Sequence, residues 1–328
     1  MSDLVRSQGD RRTHVKSRLM RESLLDKDVI SASDTEHELE ILPDVNVIAI
    51  GGRSILDRGR AALFPLMDEL VHCRQRHKII VGVGGGARIR HTYHIGLDLG
   101  LPTGGLAMIA GAVDEQNTRL LQSLLAKHKG IVLNKDHFLD LPLWLEACMI
   151  PIMTGMPPYH YWEPPAGDQR VPTHGEDLGM FMVSEVLGAR SMIFLKDEDG
   201  LYTADPKKDP TASLIPSITA RALLDLDLPD LIIERTVVET MLRARHTRRI
   251  QIINGLKPHL LRRALDGEAV GTVITAELAG KKTTRTRQRS AVEAGKGYAL
   301  RRHRRANGRV QRPADATRRM PREGANAR

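Results

Sequence analysis

The chain has 328 residues, of which 41% are hydrophobic but only 3% are aromatic, so its core must be built from aliphatic side chains. Two cysteines far apart argue against a disulfide scaffold or a cysteine metal site, and the lack of a long apolar run argues against a membrane span or signal peptide, which favours a cytoplasmic protein. The formal charge of +9 arises beyond residue 280, where 16 Lys and Arg stand against 3 Asp and Glu.

Apolar periodicity predicts strands and helices that alternate along most of the chain, after a polar arm over residues 1–40. Strands are expected near 45–50, 78–83, 131–133, 149–153, 192–195, 250–253 and 271–274. Helices are expected near 58–76, from the glycines at 84–86 to 99, and near 113–128, 141–147, 177–187, 235–246 and 258–265. Such alternation is typical of an α/β fold, in which helices cover both faces of a mostly parallel sheet.

The predicted organisation is one α/β domain over residues 41–277, between the arm and a basic tail over 278–328. The tail has two interpretations: a solvated, disordered appendage, or a segment that binds a polyanion such as nucleic acid through counterion release. Its one aromatic residue, Tyr298, gives it no stacking platform for single-stranded nucleic acid.

Two predicted strands run directly into glycine turns. The turn residues are Gly51, Gly52 and Arg53 after the first strand, and Gly84, Gly85, Gly86 and Arg88 after the second. Amides at a turn that opens a helix favour anions, so a phosphate-binding loop is expected. The spacing Gly82-x-Gly84-x-x-Ala87 also fits a dinucleotide fingerprint loosely, but no clear acidic residue follows about 20 positions on. An ordinary tight turn of an α/β protein is the third interpretation.

Several common catalytic signatures are missing from the sequence. No Walker A motif G-x-x-x-x-G-K-[ST] occurs, which argues against a P-loop nucleoside triphosphatase. The motifs H-E-x-x-H, G-x-S-x-G and C-x-x-C are missing as well, which argues against zincin, α/β-hydrolase and thioredoxin chemistry.

Three further segments carry reactive side chains, and each has a structural alternative. The segment 88–94 holds two arginines and two histidines at a helix start, either as an anion site or as a solvated or subunit-facing surface. The proline-bounded loop 157–164 holds aromatics around His160, either as a pocket wall that binds an oxyanion or metal-oxo species or as a packed structural loop. Asp177 is either the N-cap of a helix or a group that orients a phosphate or Mg²⁺.

Several colinear strings resemble the amino acid kinase superfamily. They are V-I-A-I-G-G, V-G-V-G-G-G-A-R, K-D-E-D-G-L-Y-T-A-D-P-K and I-N-G-L-K-P. Two more, G-G-R-S-I-L-D-R-G-R-A-A and G-M-P-P-Y-H, are similar to one branch of it, the molybdenum storage protein subunits. The resemblance covers about residues 40–277 and implies a three-layer αβα sandwich with a mostly parallel central sheet.

In that branch the resemblance implies a hetero-oligomeric cage, a hexamer with a homologous second subunit, that binds ATP and Mg²⁺ and stores molybdate or tungstate as polyoxometalate clusters. The glycine-turn residues would bind phosphates, and Asp177 would be the catalytic residue. Asp199, Tyr202 and Asp205 would border the nucleotide. Tyr159, His160 and Glu163 would contact the metal-oxo cluster, with Tyr161 beside them. The related uridylate kinases supply the alternative function, phosphoryl transfer from ATP to UMP.

Position 49 departs from the family pattern, because Ala49 stands where a phosphate-binding lysine is usual. Asp197 likewise occupies the register of a second family lysine, although Lys196 lies one step away. Positioning and electrostatics supply most of the catalysis of phosphoryl transfer. The sequence therefore predicts a binding or storage subunit, with at most ATP hydrolysis coupled to metal-oxide deposition or a partner subunit that carries the competent site.

Overall fold

The computed structural model describes the backbone of residues 4–6 and 13–15 and all of residues 39–154 and 170–276. Two short strands, β1 (Leu4–Arg6) and β2 (Thr13–Val15), pair antiparallel inside the arm that the sequence predicted to be irregular. All further elements belong to the α/β region.

Seven strands of this region confirm the predicted pattern, and β8, β9 and β10 were not predicted. In chain order they are β3 (Val45–Ile50), β4 (Lys78–Val83), β5 (Gly130–Leu133), β6 (Ile150–Thr154), β7 (Ser191–Lys196), β8 (Leu201–Tyr202), β9 (Leu214–Ile215), β10 (Ser217–Thr219), β11 (Arg249–Asn254) and β12 (Thr272–Thr275). Strands β8 and β9 form a small antiparallel pair, and the other eight form one sheet in the order β10-β12-β11-β7-β3-β4-β6-β5. All neighbours in this sheet are parallel except β11 and β12.

Eight α-helices lie in the described part of the chain. They are α1 (Arg60–Cys73), α2 (Gly86–Asp98), α3 (Thr103–Leu125), α4 (Leu141–Glu146), α5 (Glu176–Leu187), α6 (Ala220–Asp225), α7 (Arg235–Met241) and α8 (Leu260–Leu265). Across the described ranges, no helix is both long and apolar enough to cross a bilayer.

The core divides at the sheet because successive side chains of a strand point to opposite faces. Val45, Val47 and Ala49 of β3 pack with apolar residues of helices α4 to α7. Ile48 and Ile50 pack on the other face with residues of α1, α8 and the end of α3. Helices therefore cover both faces, as the predicted three-layer αβα sandwich requires.

The predicted boundaries were least accurate where small residues or capping groups decide them. Helix α3 begins at Thr103, ten residues before the predicted start, and its small residues Ala107 and Ala110 are buried against α2. The helix predicted over 235–246 ends at Met241, since Glu185 accepts hydrogen bonds from the backbone amides of residues 245–247. Strands β8, β9 and β10 and helix α6 were not predicted, because β8 and β9 fall in a segment expected to consist of turns.

The topology places the site at the carboxyl ends of three neighbouring strands. Strand β3 lies between β4 and β7 and is parallel to both. The chain passes from β3 to β4 on one side of β3, whereas β7 enters on the other side, so the connections diverge there. In open α/β sheets such a switch point leaves a crevice outside the carboxyl ends of the strands.

Candidate functional site

A cleft of about 820 Å³ lies at this switch point. Its floor is formed by Ala49 and Ile50 of β3 and by Gly82 and Val83 of β4. Its walls carry the residues that follow these strands and the start of α5. The volume falls in the range of pockets that hold a small ligand.

The two glycine turns meet in the cleft because neither residue at the crossing has a side chain. A Cβ atom placed on Gly52 would lie 2.3 Å from the backbone nitrogen of Gly86 and 2.6 Å from the carbonyl oxygen of Gly84. The backbone amides of Gly52, Arg53 and Gly86 have no hydrogen-bond partner among the described residues, and all three residues line the cleft. Such a concentration of amides suits an anion.

Two carboxylates hold the remaining amides of the second turn. Oε1 of Glu176 accepts a hydrogen bond of 2.7 Å from the amide of Gly85, and Oδ2 of Asp57 accepts one of 2.7 Å from the amide of Ala87. Both carboxylates therefore compensate the positive end of α2, which Arg88 and Arg90 oppose. The amide of Gly85, which was predicted to bind phosphate, is engaged by Glu176 in this arrangement.

A lysine lies in the cleft although β3 carries Ala49. Nζ of Lys196, the last residue of β7, donates to both carboxylate oxygens of Asp177 at 3.0 and 2.8 Å. The two side chains are only 11% and 14% exposed. A Cβ placed on Gly51 would lie 3.4 Å from Cδ of Lys196, so this cation comes from the strand beside β3 and reaches the first glycine turn.

Asp177 is not the N-cap of its helix, which corrects one of the two predicted roles. The capping position is Gly175, and Asp177 lies inside the first turn of α5. Glu234 supplies the cap from a distant part of the chain: its carboxylate accepts from the amides of Gly175, Asp177 and Leu178 at 3.0 to 3.2 Å. Burial, together with the negative charges of Asp177 and Glu176, raises the pKa of Glu234 to about 7.

A third carboxyl group lies behind the glycine turn. Asp114 of α3 is 1% exposed, and a Cβ on Gly85 would lie 2.9 Å from its Oδ1. Burial, followed by the charge of Glu176 and a hydrogen bond to it, raises the pKa of Asp114 to about 9. Asp114 is therefore protonated near neutral pH.

The opposite wall of the cleft carries carboxylates that have cationic partners. Asp197 lies 2.7 Å from both the Arg58 guanidinium and the Lys207 ammonium, and Lys207 also contacts Glu198 at 2.8 Å. Burial opposes the ionisation of Asp197, but hydrogen bonds from Lys207 and Arg58 hold its pKa below the usual value. A hydrogen bond from Lys257 likewise lowers the pKa of Asp199.

The structure brings most of the predicted nucleotide-binding residues to the cleft. Those that line it are Gly51, Gly52, Arg53, Gly84, Gly86, Tyr202 and Asp205. Asp177, which was predicted as the catalytic residue, lines the cleft as well. Arg88 is exposed and contacts Gln116 at 3.5 Å, while Arg90 lines the cleft in its place. Asp199 lies behind the wall, bonded to Asn254 and Lys257.

The predicted metal-oxo residues Tyr159, His160 and Glu163, with Tyr161, lie outside the described residues, as does the basic tail. No group of three or more His, Cys, Asp or Glu within the described ranges could hold a metal ion. Both oxygens of Asp177 are engaged by Lys196, so the described residues do not form a magnesium site by themselves.

Sequence reasoning gave no role to Glu234, Glu176 or Asp114, and noted Lys196 only as a neighbour of the family position. Glu234 precedes α7 without any motif around it. Asp114 is followed directly by Glu115, Gln116 and Asn117, so no local signal in the sequence separates it from exposed polar residues.

The chain is similar to known proteins over most of its length. A family model described as the amino acid kinase family matches residues 44–254. Molybdenum storage protein subunit beta of Azotobacter vinelandii is 45% identical over 258 residues, which are 79% of this chain and 96% of that protein. A uridylate kinase of Methanothermobacter thermautotrophicus is 30% identical over 241 residues, covering 70% of this chain and 99% of that enzyme.

Two solved structures share the fold. The UMP kinase from Bacillus anthracis matches with a TM-score of 0.57 at 16% identity, over 72% of this chain and 97% of that chain. The uridylate kinase from Archaeoglobus fulgidus matches with a TM-score of 0.53 at 24% identity, over 70% of this chain and 99% of that chain. At these identities the likeness concerns the fold alone.

Proposed function

Because the chain belongs to the amino acid kinase family, we propose that it is a subunit of a molybdenum storage assembly that binds a nucleotide, ATP, in the cleft. The observation that carries the proposal is the 45% identity with a molybdenum storage subunit, which extends over 96% of that protein. A relative named subunit beta favours a homologous second subunit, and we propose a hetero-oligomeric, hexameric cage with molybdate or tungstate held as polyoxometalate clusters.

The cleft supports nucleotide binding through three features. The amides of Gly52, Arg53 and Gly86 offer donors to phosphate oxygens. The Lys196–Asp177 pair adds a cation whose position is fixed by its carboxylate partner. Leu231 and Ile232 line the same cleft and offer apolar contact to a base. The bound nucleotide would therefore be oriented by the glycine turns at one end and an apolar wall at the other.

The loop that contains His160 is the proposed contact to the metal-oxo cluster. Imidazole changes its charge near neutral pH, and it therefore suits both donation to oxo groups and protonation during cluster growth. Mg²⁺ is proposed only as an ion brought in with the nucleotide, since Mg²⁺ commonly binds through substrate phosphates and one or two carboxylates.

Metal analysis tests the storage function directly. The protein is purified after growth with and without molybdate, and molybdenum per chain is compared with that of an unrelated protein prepared alongside it. We expect several molybdenum atoms per chain, fewer in His160→Ala, and no change in His72→Ala, which replaces an exposed histidine of α1. Molybdenum at the background level in the wild type would refute storage.

A second candidate function is phosphoryl transfer of the uridylate kinase type. Lys196 favours it, because the cleft retains a partly buried ammonium group beside the glycine turn despite Ala49. An ammonium at that place could neutralise charge on a transferring phosphoryl group.

A coupled assay with ATP and UMP separates the two functions. Turnover of about 1–100 per second would favour the kinase. Lys196→Met should abolish that turnover. Lys127→Met, which replaces an exposed lysine just after α3 and outside the cleft, should leave it unchanged. We expect no such turnover, together with retained molybdenum.

A further inference from the structure

A cluster of three acidic residues near the second glycine turn has no role in the proposed nucleotide binding. Its members are Asp114, Glu176 and Glu234, which come from three separate parts of the chain. Glu176 and Glu234 line the cleft, whereas Asp114 lies behind Gly85 and is 1% exposed. Asp114 therefore acts on the cleft only through its neighbours.

The contact between Asp114 and Glu176 requires a proton. Neither oxygen of Asp114 has a hydrogen-bond partner among the described residues when both carboxyls are ionised, since neither group then has a hydrogen to donate. A proton on one carboxyl turns the contact into a hydrogen bond. Glu176 already accepts from the amide of Gly85 and borders the cleft, so the proton belongs on Asp114.

The groups that face Asp114 make its ionisation costly. Glu176 from the start of α5 and Glu234 from the residue before α7 are both acids, and no cation among the described residues offsets them. Lys196, a cation that lines the cleft, is bonded to Asp177. Ionised Asp114 would thus place a second negative charge against Glu176, directly behind the amides that would bind an anion.

We propose that Asp114 is a positioning residue for anion binding: its protonated carboxyl donates to Glu176, and its ionisation weakens the binding of a phosphate group at the amides of Gly52, Arg53 and Gly86. The inference rests on the proposed nucleotide binding. The effect is electrostatic, because the added negative charge behind the turn repels the anion.

Binding and proton uptake are then linked. An anion in the cleft disfavours ionised Asp114, so nucleotide binding must raise the pKa of this carboxyl further. If the rise is one unit, affinity falls about tenfold once the pH exceeds both pKa values. Near pH 9, where the pKa of Asp114 in the free protein lies, binding should take up a fraction of a proton.

Calorimetric titration of the full chain with ATP between pH 7 and 9.5 tests the linkage. The wild type is compared with Asp114→Asn, which keeps the shape of the side chain and remains a neutral donor to Glu176 at every pH. Asp136→Asn is the matched control, because Asp136 is an exposed acid outside the cleft. Titrations in two buffers of different ionisation enthalpy give the number of protons taken up.

We expect wild type and Asp114→Asn to bind ATP alike at pH 7. With a rise of one unit from a pKa of about 9, the wild type alone should lose about threefold in affinity by pH 9.5. Asp136→Asn should follow the wild type. Parallel pH profiles for wild type and Asp114→Asn would overturn the inference. So would zero proton uptake by the wild type at pH 9, a result that needs no variant to fold. Absence of ATP binding at every pH would instead refute the proposed nucleotide function, and the linkage with it.

Discussion

The two walls of the cleft differ in what surrounds their carboxyl groups, and the pKa values shift in opposite directions. On the glycine-turn wall, Glu176 and Glu234 line the cleft and Asp114 lies behind Gly85; burial without a cationic partner raises the pKa of Asp114 to about 9 and that of Glu234 to about 7. On the strand-end wall, Asp197 and Glu198 line the cleft and Asp199 lies behind them; lysine and arginine side chains lower the pKa of Asp197 and Asp199.

The difference follows from where each wall lies. Asp114 of the glycine-turn wall is only 1% exposed, so its charge is governed by desolvation. The lysines that pair with the strand-end wall, Lys207 and Lys257, are each 56% exposed, so their ion pairs form but are screened. We therefore expect substitutions on the glycine-turn wall to change the free energy of unfolding strongly and in a pH-dependent way. Substitutions on the strand-end wall should change it little and in a salt-dependent way.

The largest effect is expected for the Lys196–Asp177 pair, which lies between the two walls. Lys196→Met leaves a nearly buried carboxylate without its partner, and should lower the free energy of unfolding by about 3–5 kcal/mol in urea denaturation. The double variant with Asp177→Asn should recover part of the loss. A loss below about 1 kcal/mol would mean that the pair is hydrated like a surface pair.

The next effect concerns the crossing of the glycine turns. Gly52→Ala places a Cβ 2.3 Å from the nitrogen of Gly86, and should cost about 2–3 kcal/mol while weakening ATP binding. Gly105→Ala is the matched control, because its Cβ would meet its nearest atom at 3.5 Å inside α3. It should be neutral or stabilise the protein by up to about 1 kcal/mol. Equal effects of both changes in chemical denaturation would contradict the close approach.

A pH-dependent effect is expected for the glycine-turn wall itself. The pKa of Asp114 rises from 3.8 to about 9 on folding, so between these values the unfolded chain gives up a proton that the folded protein retains. Stability contributed by protonated Asp114 is therefore present below pH 4 and lost as the pH rises towards 9.

Asp114→Asn has no such proton. Its free energy of unfolding should exceed that of the wild type by an amount that grows by about 2–3 kcal/mol between pH 5 and pH 7. Denaturant unfolding at the two pH values measures this difference. A constant difference across that range would show that Asp114 ionises in the folded protein as readily as in the unfolded one.

The smallest change in the free energy of unfolding is expected for a substitution on the strand-end wall. Lys207 is 56% exposed, so Lys207→Gln should lower the free energy of unfolding by less than about 1 kcal/mol despite its contacts with Asp197 and Glu198. Raising the salt concentration should abolish even this loss, since screening weakens exposed pairs. A loss of unfolding free energy that persists in 1 M salt would contradict the prediction, because it would show that the ion pairs of Lys207 are shielded from solvent.

The sequence predicted the α/β fold and the glycine turns because both depend on local patterns. Short apolar runs defined β3 and β4, period-3.6 apolar spacing defined α1, and a strand followed by glycines has few structural solutions. The same patterns failed for the start of α3, where small residues carry little hydrophobic contrast. The resemblance of the motifs extended the prediction to Tyr202 and Asp205, which do line the cleft.

Tertiary structure alone decided which charges meet. The cap of α5 comes from Glu234, whose carboxylate accepts a hydrogen bond from the amide of Asp177, 57 residues away in the sequence. Lys196 reaches Asp177 from the end of β7. Whether a carboxyl is charged depends on desolvation and on partners within a few ångströms, and neither can be predicted from the neighbouring residues in the sequence. The sequence by itself therefore determined the framework and its amide donors, whereas burial and long-range contact determined that Asp114 keeps its proton and Asp197 does not.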